Sequence, residues 1–381
     1  MLADDGYNVF GCEIRFALDT DHLLTNLAMK FTNLAKCDGR SVLIEKLQKS
    51  SLPHFNFILQ PEFSLNGLIL ASDALRIANQ NSGETIFSWA FISETGEPVR
   101  ASNGMWFGVD HAIDKMPKAF TYLLFEGNLP TQHNSRKLLG QLRTVARFDA
   151  FVGAVDTGAF ALAQAGLIGS DKSPEVVLHW EAVSAFAERF PTARPLNQIF
   201  LRKGKLVHCA GGVATLDLML DLISYFKGDA MANEVANALV HTRRDATAEQ
   251  RSDGLLESEK NPWSGRIVRL MEKHLDFPLA LAEIADALGI PQRTLSHVCR
   301  RAFGEPPMRL YLRIRLQAAR NFLFYEEFSI KDVSISCGFS YPSVFSRAFH
   351  AQFGQTPREF RTKLRASQNL TVRPEIRRLL A

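Results

Sequence analysis

One stretch of the sequence has the residue types and spacing of a site at the tip of a sharp turn. Residues 151–167 read FVGAVDTGAFALAQAGL, an apolar run, then Asp156-Thr157-Gly158, then an alanine-rich run. This order predicts a buried strand, a tight turn and a helix, with Asp156 at the tip, where backbone N–H groups and the helix dipole favour an anion. A carboxylate cannot replace a thiolate as the nucleophile, so the tip predicts no acyl-transfer chemistry.

Residues near this turn in the predicted fold have the chemistry of a ligand site. A cation is attracted to aromatic faces and carboxylates, which Phe63, Trp180 and Asp156 would offer. A ligand carboxylate would instead accept hydrogen bonds from Thr157 and from the N–H groups of the turn. His179 precedes Trp180 in LHWEA and completes the candidate set. The alternative for each aromatic residue is ordinary packing, and we predict no catalytic residue, cofactor or metal site.

The elements around the turn alternate in type along the chain. FNFILQ at 55–60 and TYLLFEG at 121–127 are typical of buried strands, and RKLLGQLRTVARF at 136–148 has helical periodicity. Such alternation predicts a parallel sheet covered on both faces, which binds ligands outside the carboxyl ends of its strands. We expect this α/β domain over residues 53–240, after an extension at 1–52 to which we assign no function.

The charge distribution separates the chain into two parts. Residues 263–381 contain 19 Lys and Arg against 10 Asp and Glu, whereas the rest contains 25 against 30. Between them, residues 241–262 are polar and poor in large apolar side chains, which is typical of a linker. A basic part joined to an acidic part predicts that the basic part meets a polyanion, although a solvated basic face would give the same balance.

The basic part repeats itself at an interval of 49 to 50 residues. LAEIADALGI at 281–290 matches IKDVSISCGF at 330–339, with Gly289 and Gly338 in the same place. Each copy has a short helix, a turn at glycine and a second helix, which is the helix-turn-helix pattern. The residues between the copies, 307–325, predict one helix of about 28 Å. Two recognition helices held roughly one DNA turn apart can enter successive major grooves.

Residues 263–365 resemble the DNA-binding domain of the AraC/XylS family, and GFSYPSVFSRAFHAQFGQTPREFR is close to that family's signature. The resemblance implies a sequence-specific transcription regulator, most simply an activator, that binds double-stranded DNA and contacts RNA polymerase. It places base or backbone contacts on two recognition helices, at Arg293, Ser296, His297, Arg300, Ser343, Ser346 and Arg347. Arginine donates two bonds to guanine, and serine is an adaptable partner. Further phosphate contacts are expected at Arg301, Arg315, Arg320 and Arg358.

The larger domain resembles the DJ-1/PfpI and class I glutamine amidotransferase-like domains, whose turn carries a cysteine where this chain has Asp156. The resemblance implies a flavodoxin-like α/β sensor domain followed by an all-α domain with two helix-turn-helix units. VDTGAFALAQAGL, HWEA, AGGVATLDLML and ANALVHTRRD resemble regulators of glycine betaine and carnitine catabolism. We therefore expect a small effector, a methylated amine or an amino acid, and a homodimer. The alternative is a cysteine-type amidohydrolase-like enzyme fused to a DNA-binding domain.

The remaining sequence features limit the class of protein. No apolar run reaches the roughly 18 residues needed to span a bilayer, and the start of the chain does not have the pattern of a secretory signal. We expect a cytoplasmic protein with no membrane partner. The five cysteines show no CxxC pair, so buried reduced thiols are expected, Cys209 among them.

Overall fold

The computed structural model describes residues 52–128, 130–168, 174–250, 263–325 and 328–368. For residues 365–368 it describes the backbone only. Most of the expected amino-terminal extension, residues 251–262 of the expected linker and residues 369–381 lie outside these ranges. The described elements form an α/β part at residues 54–238 and a helical part at residues 263–368.

Apolar runs form the strands of the α/β part. Its strands are β1 His54–Leu59, β2 Ser88–Ser93, β3 Val99–Arg100, β4 Trp106–Phe107, β5 His111–Ala112, β6 Thr121–Glu126, β7 Phe151–Asp156, β8 Glu175–Val176, β9 Arg194–Pro195, β10 Phe200–Lys203 and β11 Leu206–Cys209. Seven of them make one sheet in the order β10-β11-β7-β6-β1-β2-β5, in which only the β10–β11 pair is antiparallel. The expected flavodoxin-like, mainly parallel sheet is confirmed.

The strands that follow β1 are added toward one edge of this sheet, and the strands that follow β6 are added toward the other edge. Strands β2 and β5 follow β1 on one side, whereas β7, β11 and β10 follow β6 on the opposite side. The order of strands therefore reverses between β1 and β6, and the carboxyl ends of these two strands flank a crevice of the kind in which α/β sheets bind ligands.

Helices cover both faces of the sheet. They are α1 Leu65–Ser82, α2 Pro130–His133, α3 Arg136–Val145, α4 Ala159–Gln164, a 3-10 helix at Trp180–Ala182, α5 Val183–Arg189, α6 Ala214–Lys227 and α7 Asp229–Ala238. One face packs mainly on α1, α6 and α7, and the other on α3, α4 and α5. Alternate residues of β6 and β7 point to the two faces, so Glu126 and Asp156 share the second face with the apolar cluster of α4 and α5.

The helical part contains both expected helix-turn-helix units and the expected long helix between them. Its helices are α8 Trp263–Lys273, α9 Leu281–Leu288, α10 Gln292–Phe303, α11 Pro307–Tyr325, α12 Ile330–Ser336, α13 Pro342–Phe353 and α14 Pro357–Gln368. Helices α9 and α10 form the first unit, α12 and α13 the second, and α11 connects them as predicted.

The first half of the expected linker, residues 241–250, is packed on the α/β part. The buried carboxylate of Asp217 accepts hydrogen bonds from the Arg244 backbone and guanidinium and contacts the His241 ring at 2.8 Å. Ile199 N–H donates to the carbonyl of Ala248. Polar side chains of this charged stretch thus have buried partners, and residues 241–250 are held on the α/β part.

In the part of the chain that the structure describes, none of the helices combines the length and the apolar character that a membrane span needs.

Candidate nucleic-acid interface and candidate ligand site

The seven residues expected to contact DNA lie on the outward faces of α10 and α13. On α10, Arg293, His297 and Arg300 are exposed and Ser296 is half-buried, and their spacing of three and four residues keeps them on one face. On α13, Ser343 and Arg347 are exposed and Ser346 is half-buried. The opposite faces are buried through Leu295, Val298, Phe345 and Phe349.

Local sequence sets where the recognition helices begin and end. Pro342 occupies the first turn of α13, where its missing N–H removes no helical hydrogen bond. Both helices stop at a glycine with positive φ, Gly304 after α10 and Gly354 after α13, at which left-handed backbone is unstrained.

One expected phosphate contact has an internal role. The Arg315 guanidinium donates to the carbonyls of Cys337 and Gly338, each at 2.7 Å, and lies 4.3 Å from the centre of the Phe339 ring. It therefore satisfies the carboxyl end of α12, and the prediction of a phosphate contact at Arg315 is wrong. The other expected phosphate contacts, Arg301, Arg320 and Arg358, are exposed.

The structure has a strained turn at the predicted tip. Asp156 is the last residue of β7 and has a φ of 64°, in the left-handed region that non-glycine residues rarely adopt. A Cβ atom at Gly211 would lie 2.9 Å from the Cβ of Asp156, so only glycine allows the loop after β11 to approach this closely. The main chain of two strand ends thus fixes where the Asp156 carboxyl group points.

Asp156 lies in an acidic, partly desolvated cluster. Glu126 is its direct neighbour in the β6–β7 register, is fully buried, and neither of its carboxyl oxygens has a hydrogen-bond partner among the described residues. Burial and the charge of Glu181 raise the pKa of Asp156 to about 7. Burial, with the charge of Asp156, raises the pKa of Glu126 well above its usual value. We call Asp156, Glu126, Glu181 and Tyr325 the elbow cluster.

Tyr325 brings the helical part into this cluster. It is the last residue of α11, is buried, and its hydroxyl donates to Glu181 Oε2 at 3.2 Å. Burial and the charges of Asp156 and Glu181 raise the pKa of Tyr325, whereas Arg320 acts in the opposite direction. The carboxyl end of α11 therefore contacts the elbow cluster directly.

Two of the five expected ligand residues are fully buried and not accessible to a ligand. Phe63 is fully buried and packs edge-on against Phe107. Thr157 is also fully buried, and its hydroxyl donates to the Gly127 carbonyl at 2.6 Å. The N–H of Gly158 donates to the carbonyl of Val155, and α4 has only six residues. The turn thus retains little of the anion-binding capacity that the sequence suggested.

His179 and Trp180 lie beside the elbow cluster. The N–H of His179 donates to the Asp156 carbonyl at 3.3 Å, and burial lowers the pKa of its ring. Trp180 is one-third exposed and, with Glu181, lines a cavity of about 760 Å³ between the α/β part and the helical part. Its lining also includes Gln250 and residues of α8 and α11, among them Arg269, Glu272, Arg313 and Gln317. A volume in this range suits a small-molecule ligand.

Sequence patterns did not reveal three members of the elbow cluster. Glu126 closes an apolar strand, Glu181 follows Trp180, and Tyr325 ends a helix whose role was to connect two units. An acid at the end of a fully buried strand was the one available signal, because charged residues are rarely buried without a reason.

Cys209 is fully buried, as expected, and burial raises the pKa of its thiol to about 12. The thiol therefore stays protonated at neutral pH, whereas a cysteine nucleophile must ionise. Its position at the end of β11 also differs from the turn at Asp156.

Known proteins are similar to this chain over most of its length. The helix-turn-helix domain family matches residues 284–363. The HTH-type transcriptional regulator CdhR of Pseudomonas aeruginosa is 34% identical over 312 residues, which cover 81% of this chain and 92% of that protein. GbdR, another HTH-type transcriptional regulator of Pseudomonas aeruginosa, is 31% identical over 321 residues, which cover 84% of this chain and 86% of that protein. A THiJ/PfpI family protein from Pseudomonas syringae aligns at a TM-score of 0.46 and 15% identity over 68% of this chain and 98% of its own. The chain therefore belongs to the AraC-type family of helix-turn-helix transcriptional regulators.

Proposed function

We propose that this regulator responds to a small metabolite that carries a cationic group, such as glycine betaine, carnitine or an amino acid, bound in the cavity between its two parts. The observation that carries the proposal is the elbow cluster, in which carboxyl groups of the α/β part meet Tyr325 of the connecting helix. A ligand at Glu181 and Trp180 would touch residues that also contact the DNA-binding helices.

The electrostatics of the cluster favour a cation. Asp156, Glu126 and Glu181 lie close enough for their charges to interact, and burial removes the water that would otherwise stabilise them. A positive charge beside them lowers the free energy of the ionised carboxylates. Of these acids only Glu181 lines the cavity, where the neighbouring indole of Trp180 adds an aromatic face.

Coupling to DNA follows from differential affinity. A ligand shifts the arrangement of the two parts only if it binds one arrangement more tightly than another. Because Tyr325 donates to Glu181, a cation that competes for this carboxylate changes how α11 is held, and α11 sets the spacing of α10 and α13. Linkage then requires operator DNA to change the affinity for the metabolite by the same factor.

On the DNA side, we propose that α10 and α13 enter successive major grooves, with base contacts at Arg293, Ser296, His297, Ser343, Ser346 and Arg347. Arg300 and the neighbouring exposed arginines contact phosphates. The exposed faces described above support this proposal, and affinity should fall steeply as salt rises because basic groups release counterions. Activation through RNA polymerase and homodimerisation are supported by the family resemblance, and sedimentation of the full chain tests the dimer.

Calorimetric titration of the full chain with glycine betaine tests the effector site, with carnitine as second ligand. We expect Asp156→Asn and Glu181→Gln each to weaken binding about tenfold, and Trp180→Ala about threefold to thirtyfold. Asparagine tolerates the left-handed backbone at position 156, so the variant should fold. Raising the pH from 6 to 8 should strengthen binding to the natural chain, because Asp156 ionises near pH 7, and this gain should shrink in Asp156→Asn.

Unchanged affinity in both folded carboxyl variants would place the metabolite elsewhere. Ligand binding with no change in affinity for DNA selected from a random pool would instead contradict the coupling through Tyr325.

A further inference from the structure

A second cavity lies where the strand order reverses. It has a volume of about 590 Å³ and is lined by the segment after β1, the loop after β2, strand β4 and helix α2. Its lining includes none of the four elbow-cluster residues. It adjoins the crevice between the carboxyl ends of β1 and β6, where the general rule for open α/β sheets places a ligand.

The inner wall of this cavity carries polar atoms without partners. Gln60 is 2% exposed, and its Nε2 has no hydrogen-bond partner in the part of the chain that the structure describes. The same holds for His133 Nε2 and for both side-chain polar atoms of Asn134. Buried polar groups are nearly always paired, because an unpaired one is costly. Two of these four atoms are amide donors, Gln60 Nε2 and Asn134 Nδ2, which suit a hydrogen-bond acceptor such as a carboxylate.

The backbone at the same wall is strained. Glu62 has a φ of 64° although it is not glycine, and it is buried. Its carboxylate accepts hydrogen bonds from Arg100 at 3.2 Å and from Asn128 at 3.3 Å, so two elements hold it in this conformation. Strained residues of this kind concentrate at binding and catalytic sites. Arg100 also lines the cavity, with its guanidinium paired to the Glu62 carboxylate.

The outer wall has the opposite chemistry. Glu94 is half-buried, Glu97 is exposed, and the indole of Trp106 is 38% exposed. The neighbouring cation Lys137 lies 3.2 Å from Asp114 and also donates to the backbone carbonyl of Glu94. Two carboxylates and an aromatic face are the groups that recognise an ammonium ion.

We propose that this cavity is a second small-molecule site that binds a zwitterion. The carboxylate of the ligand lies at Gln60, Asn134 and Arg100, and its cationic end lies at Trp106, Glu94 and Glu97. The inference is independent of the effector site proposed above, because it depends on other residues and other elements.

Calorimetry on the full chain with 5-aminopentanoate tests the proposal, and pentanoate and pentylamine serve as ligands that each lack one charge. We expect 5-aminopentanoate to bind at least tenfold more tightly than either. Gln60→Leu keeps the size of the side chain, removes its amide, and should weaken binding about tenfold or more. Trp106→Ala, on the outer wall, should weaken it about threefold to thirtyfold. Asp156→Asn should leave the part of the binding that depends on Gln60 and Trp106 unchanged.

Several results would overturn the proposal. They are equal binding of pentylamine, unchanged affinity in folded Gln60→Leu and Trp106→Ala, loss in Asp156→Asn of the binding that depends on Gln60 and Trp106, or no binding of 5-aminopentanoate at millimolar concentration. Titration of the same variants with glycine betaine separates the two sites. Weaker binding of glycine betaine in Asp156→Asn, with unchanged binding in Gln60→Leu and Trp106→Ala, supports the effector site whatever the result for 5-aminopentanoate.

Discussion

In the first helix-turn-helix unit, α9 and α10 pack on α8 and on the start of α11 and share a core of their own. In the second unit, Val333, Cys337, Phe345 and Phe349 belong to the same apolar cluster as Phe160 and Phe186 of the α/β part. The two helix-turn-helix units therefore differ in the elements against which their apolar side chains pack. The first unit packs around its own helices, whereas the second shares its apolar cluster with the α/β part.

The turn glycines give the largest expected difference between the units. Gly289 and Gly338 have nearly the same φ, 67° and 71°, but an added Cβ meets nothing within 4 Å at Gly289. At Gly338 it would lie 2.5 Å from Pro278 Cγ and 2.6 Å from the Leu275 carbonyl oxygen. We expect Gly289→Ala to lower the free energy of unfolding by about 1 kcal/mol, the cost of left-handed backbone. Gly338→Ala should lower it by about 3 kcal/mol, because a clash is added.

Urea unfolding followed by fluorescence and by circular dichroism measures both glycine variants. Equal losses would mean that the loop after α8 moves away from the second unit without cost, and the two turns would then be equivalent.

Arg315 gives the next largest effect. Its replacement by methionine keeps much of the apolar stem and leaves the carbonyls of Cys337 and Gly338 without their donors. Each such bond to a charged group contributes on the order of 2 kcal/mol, so we expect a loss of about 2 kcal/mol in the free energy of unfolding. The salt dependence of DNA binding should not change.

The exposed Arg358 is the control for this variant. Arg358→Ala should reduce the slope of log affinity against log salt concentration by about one and leave the unfolding free energy almost unchanged. The opposite pattern would restore Arg315 as a phosphate contact.

The two recognition helices can be compared at one equivalent position, because His297 and Arg347 are 50 residues apart and both exposed. Arg347→Ala should reduce discrimination at one base pair by about 1 to 3 kcal/mol, the usual value of a bidentate contact. His297→Ala should cost about 1 kcal/mol, since imidazole makes a single such bond. Binding to the selected operator, to its single-base variants and to random DNA measures both. Equal weakening on all three would make Arg347 a phosphate contact.

The sequence predicts the helices, strands and turns of this protein far better than the contacts between them. The repeat of glycines and apolar residues gave both helix-turn-helix units, and the run FVGAVDTG gave the strained turn at Asp156, because local periodicity and turn chemistry decide these features. The partners of Asp156 could not be obtained in this way. Glu126 reaches it through strand register, and Tyr325 reaches Glu181 across 144 residues of sequence. For the same reason Phe63 and Thr157 appeared available to a ligand, although packing buries them completely.

The smallest effect concerns two tyrosines of the same helix. Near the start of α11, the Tyr311 hydroxyl donates to the His274 carbonyl and accepts from Leu279 N–H, which holds the first unit together. At its end, the Tyr325 hydroxyl donates to Glu181 of the sensor. Tyr→Phe removes only the hydroxyl in each case, so each variant should lose about 1 kcal/mol in unfolding free energy.

The functional consequences of the two substitutions should differ, because of these two tyrosines only Tyr325 contacts the α/β part. Tyr325→Phe should change the affinity of the metabolite-free protein for operator DNA and reduce the further change that the metabolite produces. Tyr311→Phe should weaken the first unit and leave the ratio of affinities with and without metabolite unaltered. Operator titrations in the presence and absence of glycine betaine measure this ratio. If both variants keep the ratio of the natural chain, the contact between Tyr325 and Glu181 stabilises the docked second unit without transmitting the signal, and coupling must run through the apolar cluster shared by Phe186 and Phe345.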